Sequence, residues 1–167
     1  MRRRDKFMDE LTTLQKILTF LAEIDIEARE AHIEQKTFLP GILIDKGKLI
    51  FDKDKMKNPG DLLHEAGHIA VTEFAARGTL SGDVYTAGHS PADEMAAIAW
   101  SWAALQFIGL PSQILFHQDG YKGASENYIE TFSQGQGFGY PMLVYYGLCL
   151  APETKEGYPS MCSWLRD

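Results

Sequence analysis

The chain has 167 residues, 45% of them hydrophobic and 23% charged, and carries a net charge of −7. That length suits one domain with a proper core. The acidic balance leaves no excess of lysine and arginine to neutralise phosphates, which argues against nucleic acid as a main partner. The one basic run, Arg2-Arg3-Arg4, reads as a solvated terminus.

Residues 5–24 predict an amphipathic helix, with Leu11, Leu14, Ile17, Leu18, Leu21 and Ile24 at helical spacing. No secretory signal is expected there, because Asp5, Lys6, Asp9 and Glu10 interrupt any apolar stretch. The charged segment 25–37 either extends this helix or forms a second. After Pro40-Gly41, Ile42–Ile44 and Leu49–Phe51 flank Asp45-Lys46-Gly47-Lys48, the pattern of a β-hairpin.

A helix is predicted over about 59–76, with Asn58 as N-cap, Pro59 at the first helical position, and Gly78 as a stop. A loop over 79–90 follows. Ser90-Pro91 and Asp93 then predict a capped second helix ending near Gly109. Its apolar stretch, Met95–Leu110, falls short of the roughly 20 residues of a membrane span, so no membrane association is expected. Trp100 and Trp102 on it read as core. Shorter helices are predicted over 111–117, 125–134 and 141–150. The Gly-rich stretch 134–139 lacks the Gly-Lys-Ser/Thr ending of a phosphate loop and reads as a mobile loop. Cys149 and Cys162 do not make a disulfide framework; they read as free thiols in a reducing cytoplasm. The fold class expected is α+β: mostly helical, with a small hairpin before the 59–76 helix.

That helix carries His64-Glu65-Ala66-Gly67-His68, an H-E-x-x-H motif. Positions i and i+4 lie on one helical face, so both imidazoles can close on one metal ion. The glutamate between them can take a proton from a metal-held water. This is the pattern of a zinc-dependent hydrolase. Catalytic zinc takes three protein ligands. A third histidine in the extended metzincin spacing is absent, since positions 71 and 74 are Val71 and Phe74. Glu94, in the first turn of the next helix, is the leading third ligand: Asp93 is placed to cap that helix, which leaves Glu94 free. Asp93 is the fallback.

Leu63–His68 followed by Asp93-Glu94-Met95-Ala96-Ala97-Ile98-Ala99, with Gly109-Leu110-Pro111 at the helix end, resembles the ImmA/IrrE family of metallopeptidase-like domains. The resemblance covers roughly residues 38–111. It implies a gluzincin-type zincin fold in which His64, His68 and Glu94 bind zinc. Ile98 stands where thermolysin-type enzymes carry an aspartate, so the partner that orients the histidines is not given by the motif.

On this reading Glu65 is the general base in peptide-bond hydrolysis. A second electrophile is sought among His89, Tyr85, His117, Tyr121 and Tyr140, with His89 preferred. The hairpin edge over 42–51 offers a strand to an extended substrate. The function expected is a narrow-specificity cytoplasmic zinc metallopeptidase acting on a peptide or protein. The alternative is a metal-binding sensor or interaction module without peptidase activity.

Overall fold

The computed structural model describes residues 3–84 and 86–167. Helix α1 runs from Arg3 to Glu23. It buries Leu14, Ile17, Phe20 and Leu21 against the core, as their helical spacing requires. Asp25 ends it with φ 64°, a left-handed conformation that aspartate tolerates better than most residues.

Residues 25–37 neither extend α1 nor form a second helix. They contain a short strand, β1 (Ala28–Glu30). It joins the expected hairpin, β2 (Ile42–Asp45) and β3 (Lys48–Phe51), in a sheet of order β1-β3-β2. β2 and β3 are antiparallel, with Ile44 opposite Leu49; β1 runs parallel to β3. Lys46 (φ 49°) and Gly47 (φ 75°) form the two-residue turn, both left-handed as such hairpins require. Ile42, Ile44, Leu49 and Phe51 point into the core.

The predicted 59–76 helix divides into α2 (Asp61–Val71) and α3 (Phe74–Arg77). Thr72 turns extended (ψ 135°), and its hydroxyl donates to the His68 carbonyl at 2.7 Å. The start also differs from expectation. Gly60, not Asn58, holds the cap position, where the Ile114 carbonyl occupies the space a Cβ would take. The Asn58 amide instead donates to Asp119 at 3.2 Å.

Helix α4 (Pro91–Ile108) starts as the sequence predicts. Asp93 N–H donates to Ser90 Oγ (3.2 Å) and Ser90 N–H donates to Asp93 Oδ2 (2.7 Å), a reciprocal cap. Gly109 closes the helix with φ 82°. Every residue of α2 is buried, as is Ala96–Leu105 of α4. The two helices pack at close range because the contact is made of small side chains. Gly67 faces the α4 backbone, and Ser101 Oγ donates to the Ala97 and Leu63 carbonyls.

This contact reverses the usual sign of a helical glycine substitution. Gly→Ala in a helix interior gains about 1 kcal/mol of propensity. At position 67 the new methyl would meet the Ala97 carbonyl oxygen at 2.6 Å and its Cα at 3.2 Å. Backbone cannot swing aside as a side chain can, so the helices must separate, at roughly 1–3 kcal/mol or more. Gly67→Ala is therefore expected to lower Tm in a thermal melt. A Tm at or above that of the parent protein would contradict this packing.

The remaining helices are α5 (Ser112–Leu115), α6 (Ser125–Ser133) and α7 (Tyr140–Tyr145), with a 3-10 turn at Tyr121–Gly123. α7 is shorter than the predicted 141–150 helix, and Gly147 (φ 75°) follows it. The Gly-rich stretch does not end loosely: Gly139 lies against the Met95 carbonyl, where a Cβ would not fit. Trp100 and Trp102 are core residues. Trp164 packs edge-on to Phe20 and Trp100, and Arg166 donates to the Ala70 and Val71 carbonyls at the end of α2. The class is α+β. Among the described residues, no helix is long and apolar enough to cross a membrane.

Candidate metal centre

α2 places His64 and His68 one turn apart on the face that meets α4. The Ser90–Asp93 cap fixes the start of α4 and leaves Glu94 aimed back at them. Glu94 Oε1 lies 3.2 Å from His64 Nε2, and Oε2 lies 2.7 Å from His68 Nε2. One ligand atom from each residue lies within 4.8 Å of the others. His64, Glu65 and His68 are buried, and the Glu94 side chain is 24% exposed. Asp93 is spent on the cap.

These donors fit a divalent metal. Ligand atoms on a tetrahedron with bonds of about 2.0–2.1 Å stand about 3.3 Å apart. Glu94 Oε2 is buried with no hydrogen-bond partner despite its nearness to His68. Three donors converge on the space between them, with an unsatisfied oxygen, where a cation would satisfy all three.

Compared with models of protein families, with curated proteins and with solved structures, the chain matches none of them. The site rests on its own geometry.

That geometry supplies the orienting partners which Ile98 does not. His68 Nδ1 lies 2.9 Å from His89 Nδ1, and His89 Nε2 lies 3.0 Å from Thr72 Oγ1. His64 Nδ1 lies 3.4 Å from the Tyr121 hydroxyl. Each ring therefore has its outer nitrogen occupied while its inner one faces Glu94, the arrangement that fixes a ligand's tautomer and orientation. His89, preferred in sequence as the second electrophile, has both ring nitrogens turned to His68 and Thr72.

Among the other candidates, Tyr121 lines a cavity together with His64 and Glu94. His117 pairs with Asp61 at 2.6 Å. Tyr140 stacks on Tyr158 (5.7 Å between centroids). Tyr85 lies outside the described residues. The hairpin edge is less open than expected. β3 is central, and on β2 the Ile44 carbonyl accepts from Gly82 N–H (2.9 Å) while Gly47 N–H donates to the Leu80 carbonyl (2.9 Å). At the other end of β2 the Ile42 N–H donates to the Leu39 carbonyl (3.2 Å).

The Asp61–His117 pair is the feature sequence reasoning missed. Asp61 sits in the first turn of α2. It also precedes His64 by one turn and so shares its face, a signal that spacing alone carried.

Electrostatics separate the two glutamates. Burial pushes the Glu65 carboxyl up to about 7. Burial also opposes ionisation of Glu94, but the two imidazoles outweigh it and hold that carboxyl well below the usual range. Burial lowers His68 and His89. For His64 burial is overcome by the Glu94 carboxylate, and its pKa rises. In the metal-free protein the two carboxylates, on α2 and α4, thus diverge: Glu94 is held in its ionised form and Glu65 is pushed up to about 7.

Proposed function

We propose that this chain is a zincin-type domain, similar to ImmA/IrrE proteins, that hydrolyses peptide bonds as a zinc metallopeptidase of narrow specificity in the cytoplasm. The observation that carries the reading is the convergence of His64, His68 and Glu94 beside the buried carboxyl of Glu65. Zinc bound by these three residues supplies Lewis acidity to a water molecule and to the scissile carbonyl.

The chain's own residues do the rest. Glu65 accepts a proton on its carboxylate and returns it to the leaving amine, a role suited to a buried carboxyl next to the ligand residues in the same helix. His89 and Thr72 hold the His68 ring, and Tyr121 holds His64. Tyr121 is the candidate hydrogen-bond donor to negative charge on the substrate: burial raises its pKa well above the ordinary value, so its O–H stays intact. Two free thiols, one buried and one exposed, suit a reducing compartment.

The test is hydrolysis of a mixed peptide library by zinc-loaded protein, read by mass spectrometry. Cleavage is expected that a chelator abolishes and added zinc restores. A zinc-loaded, folded protein that leaves every peptide intact would leave a metal-binding module in place of a peptidase.

A further inference from the structure

His64 and Glu94 of the triad line one side of a cavity of about 240 Å³. Its walls are Phe38, Leu39, Tyr121 and Tyr128, and Asp61 lines it with a carboxylate that is 96% buried (side-chain exposure 4%). Lys122 lies on its wall and is exposed. Asp61 Oδ1 pairs with His117 Nε2 at 2.6 Å.

His117 Nδ1 is buried with no partner. A ring that donates from Nε2 alone leaves no unsatisfied N–H at Nδ1. A buried carboxylate lining a cavity with apolar and aromatic walls suits a cation on a carbon stem, whose stem lies along the walls while its tip reaches the carboxylate.

We propose that this cavity is a specificity pocket for a lysine or arginine side chain of the substrate, with Asp61 as its recognition anion. The substrate class rests on the peptidase reading of the adjoining triad; the cation preference of the cavity does not.

The test compares Nα-acetyl-argininamide with Nα-acetyl-citrullinamide, whose side chain is a neutral near-isostere, by calorimetric titration into zinc-loaded protein. The blocked α-amine removes any contribution from a free N-terminus. The arginine compound is expected to bind at least about tenfold more tightly. Asp61→Asn, whose amide oxygen still accepts from His117, is expected to abolish that preference. Lys122→Gln, which removes the competing cation, is expected to strengthen it several-fold and needs no change to the buried pair.

Equal binding of the two compounds, or a preference untouched in both variants, would overturn the proposal. The peptide library separates the two claims. Cleavage with no preference for basic residues overturns the pocket and leaves the peptidase. An arginine preference in binding with no peptide cleaved supports the pocket and overturns the peptidase.

Discussion

Glu65→Gln is expected to reduce peptide hydrolysis by about 10²–10⁴-fold, the usual contribution of a positioned general base, while the protein keeps its fold and its zinc. The substitution keeps the shape of the side chain and removes only its capacity to exchange a proton. Glu65 is not among the three converging ligand residues, so metal content is unaffected. Nor does the fold require the charge: burial already drives this carboxyl toward its neutral form. In the metal-free state the variant should therefore melt at or above the parent's Tm at pH 8. Kinetics beside elemental analysis of the same preparation check this. Loss of zinc in Glu65→Gln would assign Glu65 as a ligand, and retained hydrolysis would remove it from the chemistry.

The second large effect is a reversal of pH dependence on metal binding. In the metal-free protein Glu65 has a folded pKa near 7, raised from 4.5. Its contribution to stability is fully present below 4.5 and is lost as pH rises through 7, by about 3 kcal/mol. Glu94 is depressed, so its contribution is present above 4.5 and is lost as pH falls further. His64 is raised and His68 lowered, and their contributions run in opposite directions with pH. The metal-free protein should thus be most stable near pH 5–6 and weaken toward pH 8.

Zinc imposes the opposite trend, because its ligands must be deprotonated and binding releases protons. At a zinc concentration about 1,000 times Kd the stabilisation is about 4 kcal/mol, or roughly 8–16 °C in Tm for a chain of this size. That shift is expected at pH 8 and should be largely absent at pH 5. Differential scanning calorimetry with and without zinc at the two pH values reads it directly. Equal shifts at both, or none at pH 8, would contradict the assignment.

What the sequence disclosed was local. The Ser90-Pro91-x-Asp93 cap is a contact among neighbours, so the start of α4 and the freedom of Glu94 could be read from four residues. The hairpin was equally legible, since Lys46-Gly47 sits between two apolar runs. β1 was hidden because three residues of mixed polarity become a strand only by pairing with β3, some twenty positions on. The break after Val71 was hidden too. Thr72 leaves the helix toward His89, and nothing within α2 foretells that partner. Asp61 shows the same limit at the site. Its helical position suggests a cap, but a histidine 56 residues away claims the carboxylate. Of the second-electrophile candidates, His89 and Tyr121 do stand at the centre; which nitrogen each one meets depended on tertiary packing.

The most direct measurement is the zinc content of the purified protein by elemental analysis, beside Glu94→Ala. Glu94 is the decisive position because it comes from a different helix than the H-E-x-x-H motif and meets both histidines. About one zinc per chain, lost or greatly reduced in Glu94→Ala with the fold retained, is the predicted result. No zinc bound by the folded parent protein after reconstitution, or full zinc retained without Glu94, would contradict the centre described.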